Sequence, residues 1–212
     1  MSDPKDESPE PSPEPGVLIT KGMRISIPKG GLQVTVGEDG AIEATLQLHI
    51  GLDLCHHWLG IAVSHVLEGR RASGELHDAQ AAQDNEGLSH TLEAEFKAGM
   101  QAMMAAAVAI DAFYGSVKDR IAIPSDQVSA WKKNKTARYK QLSEVFRLGF
   151  HLPGDPDTKQ VRHILREVFR FRDLAVHPPA KTMAPAVHPG LNQASDWRCA
   201  AFCFQNARES TR

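Results

Sequence analysis

The sequence predicts a mainly α-helical protein with a small antiparallel β-hairpin or sheet near its N-terminus. Apolar residues recur at helical spacing from about Leu52 to Arg208. Between residues 17 and 50 they alternate instead with polar residues at a period of two. Hydrophobic content of 42% and charged content of 24% are ordinary for a globular chain. We therefore expect a small β element over residues 17–50 and a helical bundle over residues 51–212.

The first 16 residues are acidic and rich in proline. They hold five prolines and five acidic residues before the apolar pattern begins at Val17. Such a segment buries too little apolar surface to offset the entropy lost on ordering, so we expect a disordered tail over residues 1–16. It lacks the basic and apolar regions of a secretory signal, and no apolar run approaches the roughly 18 residues that cross a bilayer. These features predict a cytoplasmic protein without a membrane partner.

The β element is predicted from alternation and from turn residues. Ile25 and Ile27 alternate with polar neighbours, as do the apolar residues of 33–36 and 45–50. The loops 28–31 and 37–40 carry the glycine, proline and aspartate residues expected between paired strands. Two or three strands are expected.

The helical region divides into five predicted helices. Apolar stripes and breaker residues place them at about 52–71, 89–121, 125–150, 158–176 and 196–208. Ser125, after Pro124, is the expected N-cap of the third helix. The polar residues 72–89 are predicted to form a loop or a mobile helical connection. Residues 178–195 hold four prolines and no periodicity, and they predict a long irregular loop.

Basic residues are concentrated in one part of the chain. From Lys118 to Arg172 there are 13 lysines and arginines against 6 acidic residues, although the whole chain has a net charge of −2. A localised basic surface suits RNA or a nucleotide. Solvated helix faces would give the same composition. Arg162, Arg166 and Arg170 are spaced four apart and would form one stripe, facing either phosphate or solvent.

Three potentially chemical residues lie close together where the fourth predicted helix runs into two prolines. Arg172 and Asp173 are followed by His177, and Pro178 disfavours helical geometry at His177. The helix should therefore end near Val176 with the histidine at its exit. Arginine binds phosphate and histidine transfers protons near neutral pH. RNA carries its own nucleophile in the 2′-hydroxyl, so cleavage would require no metal. Alternatively, both side chains could simply complement the helix C-terminus.

The segment Arg172-Asp-Leu-Ala-Val-His177 resembles the signature of the HEPN superfamily, whose name stands for higher eukaryotes and prokaryotes nucleotide-binding. That signature is an arginine, four to six residues and a histidine, with a polar residue directly after the arginine. Arg170 also satisfies the loosest spacing. Residues 109–114 are similar to an early helix of many HEPN bundles, and the resemblance spans about residues 52–208.

The resemblance implies a helical bundle that dimerises and brings two copies of the motif into one cleft. Many HEPN proteins are metal-independent endoribonucleases that act as toxins or antiviral effectors, whereas others are non-catalytic binding or assembly domains. In the first case His177 would transfer the proton, Arg172 would bind the phosphate and Asp173 would orient one of them. The implied partners are RNA or a nucleotide, a second copy and possible antitoxins, with no cofactor.

A metal site receives little support from the sequence. Asp53, His56 and His57 are close in sequence, but no third ligand stands at a recognisable spacing, so no metal is expected. The three cysteines, Cys55, Cys199 and Cys203, are too few and odd in number for a disulfide framework. Buried thiols are expected for the last two.

Overall fold

A computed structural model describes residues 18–118, 120–152 and 157–210. It is mainly helical with a few short antiparallel strands at the N-terminus, which confirms the predicted fold class. The chain divides into two compact units at the Leu52–Asp53 junction. The tail predicted over residues 1–16 lies outside the described residues.

The N-terminal unit contains two separate two-stranded sheets. Strand β1 (Met23–Ser26) pairs with β4 (His49–Leu52), and β2 (Leu32–Val36) pairs with β3 (Ile42–Leu46), both antiparallel. The prediction of two or three strands was therefore too low. The alternation over residues 45–50 concealed the break between β3 and β4, because it continues through Gln47 and Leu48 without interruption.

Two long helices begin the second unit, α1 (Cys55–Ala81) and α2 (Asn85–Val117). The predicted helix end near residue 71 was wrong, and most of the predicted 72–89 connection is helical. Glu75, His77 and Asp78 are exposed on the outer face of α1. Ala72, Ser73 and Leu76 are buried.

The turn between α1 and α2 is short and has a local cause. Gln83 adopts a left-handed conformation with φ of 54°. Asp84 then caps α2 because its Oδ1 accepts a hydrogen bond from the Gly87 N–H at 3.0 Å. This cap starts α2 four residues earlier than the predicted Ser89.

The predicted helix over residues 125–150 is two helices, α3 (Ser125–Lys133) and α4 (Arg138–Gly149). The chain breaks where Lys135 takes a positive φ of 46°. Ser125 is the first helical residue, and the cap position belongs to Pro124, so the predicted serine cap was wrong.

The remaining elements are one long helix, a hairpin and two short helices. Helix α5 (Asp157–Val176) ends where Pro178 predicted. The predicted loop over 178–195 contains strands β5 (Ala186–His188) and β6 (Gln193–Ser195), which pair antiparallel. The predicted last helix is divided into α6 (Trp197–Ala201) and α7 (Phe204–Ser210).

Helix α2 is the centre of the helical unit. Its small residues Ala105 and Ala106 pack against Ala62 of α1, as expected for a surface that admits a close neighbour. On another face, Ala102 and Met103 pack against Phe202, at the junction of α6 and α7. A third cluster joins α4 and α5 through Leu142, Leu165 and Phe169, with partly buried Ile110 and Tyr114 of α2 packed against it.

Among the described residues, α2 is the one helix long and apolar enough to cross a membrane by length and composition. This is weak evidence, because the core helix of a soluble protein meets the same criteria. Ten of its residues are buried within the helical unit, including Glu95.

Candidate functional site

The predicted motif residues lie at the C-terminal end of α5, with Arg172 and Asp173 within the helix and His177 directly after it. Val176 is the last helical residue, and the His177 N–H still donates to the Asp173 carbonyl at 2.8 Å. Pro178 has no N–H to continue this pattern, so the chain leaves the helix there. His177 is exposed. Its imidazole therefore lies at a helix exit, where a ligand in solution can reach it.

An open cavity of about 580 Å³ lies at this helix end, and we call it the arginine cavity. Pockets of about 300–1,000 Å³ are typical for small ligands. Five of the six predicted site residues line it: Arg166, Arg170, Arg172, Asp173 and His177. The start of α4 and apolar residues of α5 complete the wall, through Ala137, Arg138, Tyr139, Phe169 and Leu174.

Arg172 is held by two carboxylates and one ring. Its Nε and Nη2 donate to Oδ1 of Asp173 at 3.0 and 2.7 Å. Its Nη1 lies 3.6 Å from Oδ2 of Asp111, which belongs to α2. The guanidinium carbon lies 4.7 Å from the centre of the Phe169 ring. These contacts fix the guanidinium at the cavity wall and also occupy part of its donor capacity.

Arg138 is a site residue that sequence reasoning did not single out. It begins α4, and its Nε donates to Oδ1 of Asp111 at 2.7 Å. Its guanidinium carbon lies 3.9 Å from the centre of the Tyr114 ring, at cation–π distance. The sequence did carry partial signals, since Arg138 belongs to the basic run and Asp111 lies in the segment 109–114 similar to HEPN bundles.

The arginine stripe of α5 is only partly assembled at the cavity. Arg166 and Arg170 pair with Glu167 at 3.3 and 2.8 Å. Burial raises the pKa of Glu167, but hydrogen bonds and charge from Arg170 and Arg166 together outweigh it, so the pKa is lowered overall. Arg162 does not line the cavity. Its Nε donates to the Ser143 hydroxyl at 3.3 Å instead.

The electrostatic balance of the arginine cavity is therefore only mildly positive. Four guanidinium groups line it, and three carboxylates pair with them: Asp111, Glu167 and Asp173. The ion pairs hold the arginines in defined positions, but an incoming anion has to compete with carboxylates already in place.

No family model, curated protein or solved structure matches this chain. His177 and four guanidinium groups line one cavity, so a group able to transfer protons lies close to a surface able to bind anions.

The residues considered for a metal site, Asp53, His56 and His57, lie at the start of α1. The Asp53 carboxylate accepts a hydrogen bond from the N–H of Cys55, the first residue of α1, at 2.9 Å. The two imidazole rings lie 3.9 Å apart between centres. Within residues 18–118, 120–152 and 157–210 there is no group of three or more histidine, cysteine or acidic side chains able to hold a metal.

The cysteines occupy apolar or half-buried positions. Cys203 is buried, and burial raises the pKa of its thiol. Burial likewise raises the pKa of Cys199, which is only partly covered. Since the thiolate is the reactive form, these shifts favour a packing role for both residues.

A second polar feature, which sequence reasoning missed, is buried beneath the β5–β6 hairpin. Glu95 and His188 are both fully buried, with Oε2 of the glutamate 3.3 Å from Nε2 of the histidine. His188 Nδ1 accepts from the Gly190 N–H at 3.2 Å, whereas His188 Nε2 and Glu95 Oε2 make no hydrogen bond within the described residues. Oε1 of Glu95 accepts from the Phe204 N–H at 2.9 Å. The cluster tethers the hairpin and α7 to α2.

Proposed function

We propose that the protein is a HEPN-type, metal-independent endoribonuclease that acts as a dimer. The observation that supports this most is the arginine cavity, in which Arg172, Asp173 and His177 share a wall with further arginines. The setting that the resemblance suggests is a cytoplasmic toxin or defence effector, with an antitoxin as a possible partner in the toxin case.

In this proposal the reaction is transesterification within RNA. His177 accepts the proton of a 2′-hydroxyl, whose oxygen attacks the adjacent phosphorus, while Arg172 stabilises the charge that develops on the phosphate oxygens. The bond to the 5′-oxygen breaks, and that oxygen takes a proton from a general acid, for which a second copy's histidine is available in the dimer. The products are a 2′,3′-cyclic phosphate and a 5′-hydroxyl.

The test is cleavage of labelled RNA in the presence of EDTA. We expect the wild-type protein to cut and His177→Ala and Arg172→Ala to lose activity, whereas His77→Ala, at an exposed histidine of α1 outside the cavity, stays active. His177 is exposed, and surface substitutions usually change stability by within about 0.5 kcal/mol, so unfolding does not explain a loss. Absence of wild-type cleavage, or cleavage that survives His177→Ala, refutes the proposal.

The second candidate is a non-catalytic helical domain that binds a nucleotide or another protein. It is favoured by the pairing of the cavity arginines with carboxylates, which leaves little uncompensated positive charge. Under this alternative, the wild-type protein binds oligonucleotide or a protein partner while RNA remains intact. Comparing binding and cleavage on one RNA therefore separates the two candidates.

A further inference from the structure

We infer that Arg138 is a phosphate-binding residue of the arginine cavity and that Asp111 is the positioning residue for Arg138 and Arg172. The inference rests on the proposed phosphate-binding role of this cavity. It adds a cation from α4 to a site that the motif alone places on α5. The ligand class is the phosphodiester backbone of single-stranded RNA.

The position of Arg138 supports this role. Its side chain is 34% exposed, so it is anchored by the protein and still open to the cavity. The single proton on Nε goes to Asp111, and the ring of Tyr114 supports the guanidinium plane. An arginine has four further N–H donors on its terminal nitrogens, which are the groups that bind a phosphate in a fork.

Asp111 joins two arginines that come from different helices. Oδ1 accepts from Arg138 on α4, and Oδ2 faces Arg172 on α5 at 3.6 Å. One carboxylate thus hydrogen-bonds one guanidinium and lies at ion-pair distance from a second, both at the wall of one cavity. A site whose long side chains are already held in place loses less conformational entropy when a ligand binds.

Net charge alone does not favour an anion here, because Asp111 and Asp173 compensate the two positive charges of Arg138 and Arg172. The group instead offers two guanidiniums whose carboxylate contacts leave terminal N–H donors unused. A phosphate oxygen that bridges the two guanidiniums accepts hydrogen bonds from both, in a cavity that His177 also lines.

The experiment is equilibrium binding of a fluorescent, non-cleavable 2′-O-methyl oligonucleotide across a range of salt concentrations. Each phosphate contact to a single strand contributes about 0.7 to the slope of log K against log salt. We expect Arg138→Ala to weaken binding and to reduce the slope by about 0.7. Arg138→Lys should keep the slope and lose part of the affinity, because lysine keeps the charge without the planar fork.

Arg147→Ala is the matched control. Arg147 lies on the same helix, is 38% exposed and pairs with a carboxylate, Glu144, but does not line the cavity. The two alanine variants remove the same charge, so a general electrostatic effect changes both equally. If Arg138→Ala and Arg147→Ala give the same slope and affinity, the role of Arg138 is overturned.

Asp111→Asn separates positioning from simple charge. Removing a carboxylate near a phosphate strengthens anion binding if charge alone matters, whereas loss of positioning weakens it. We expect weaker binding with an unchanged slope, in a variant whose circular dichroism spectrum matches the wild type. Binding as tight as the wild type, or tighter, overturns the role of Asp111.

The outcome is distinguishable from failure of the proposed function. If RNA stays intact in EDTA but the slope falls only with Arg138→Ala, the ribonuclease proposal fails and this inference stands. If RNA is cut and Arg138→Ala behaves like Arg147→Ala, the ribonuclease proposal stands and this inference fails. Failure of the wild-type protein to bind the oligonucleotide overturns this inference whatever the cleavage result.

Discussion

Replacing Gly99 by alanine is the most direct test of how α6 and α7 dock on α2. An added Cβ would overlap the carbonyl oxygen of Phe202 and lie 2.8 Å from its carbonyl carbon. Both are backbone atoms, so the strain cannot be relieved by a change of rotamer. Phe202 is 1% exposed, and its ring meets those of Phe96 and Phe171 edge-on at 5.9 Å. Any shift of this backbone therefore also disturbs the aromatic contacts.

Two opposing effects set the magnitude. Alanine is favoured over glycine in a helix interior by about 1 kcal/mol. Overpacking a core costs about 1–3 kcal/mol, and partial displacement of a buried phenylalanine adds a fraction of the about 1.5–3 kcal/mol that its full burial contributes. The clash therefore wins, and we expect Gly99→Ala to lower the free energy of unfolding by about 2–4 kcal/mol.

Urea unfolding followed by circular dichroism measures this change. Gly115→Ala is the control on the same helix, because a Cβ there meets nothing within 4 Å. It should stabilise the protein by up to about 1 kcal/mol. Opposite signs for two glycine-to-alanine substitutions in one helix are the expected result. An unchanged or higher stability for Gly99→Ala would refute the close approach of Phe202.

Two further predictions concern ionisable side chains. Glu95→Ala should destabilise the helical unit by about 3 kcal/mol, because it leaves the Phe204 N–H without its acceptor and removes the carboxylate 3.3 Å from the buried His188 imidazole. Urea unfolding measures this change, and a loss below about 1 kcal/mol would contradict it. A hydrogen bond from Arg147 lowers the pKa of Glu144 below its ordinary 4.5. Its stabilising contribution is present above that value and is lost as pH falls through the lower, folded pKa. The melting-temperature difference between wild type and Arg147→Ala should therefore shrink in acid, and a constant difference would contradict the pairing.

Local rules in the sequence predicted some elements well. Pro178 restricts the residue before it, and this placed the end of α5 and the position of His177. Alternation and turn residues located the β element, with Gly30 and Gly40 at positive φ in the expected turns. These predictions succeeded because the responsible interactions lie within a few residues along the chain.

Other features depend on contacts between distant segments. The polar residues after 71 were predicted to form a loop or a mobile helical connection, whereas α1 continues through them to Ala81 with Leu76 buried by the fold. The division of α6 from α7 accompanies the approach of Phe202 to Gly99 on α2. Likewise, nothing near Glu95 in the sequence indicates that His188 is its partner. The spacing of apolar residues along the chain carries no information about such pairings between distant residues.

At the candidate site too, the sequence predicted the features that depend on neighbouring residues but not the contacts between distant segments. The motif placed Arg172, Asp173 and His177 on one helix end, but it gave no sign that Asp111 joins Arg172 to Arg138. By composition, the segment from residue 118 to residue 172 carries a net positive charge. The fold pairs its cavity arginines with three carboxylates, two of which, Asp111 and Asp173, lie outside that segment.

These carboxylates determine what kind of anion the arginine cavity can hold. A single small anion that binds the remaining donors of one guanidinium also lies close to the carboxylate already paired with it, so its binding yields little net free energy. An extended polyanion can contact several of the four arginines at once, and its neighbouring phosphates remain close to the second arginine after the first has bound. The paired carboxylates then disfavour single anions more than polyanions, and this selectivity is why single-stranded RNA, rather than free phosphate, is the ligand we propose.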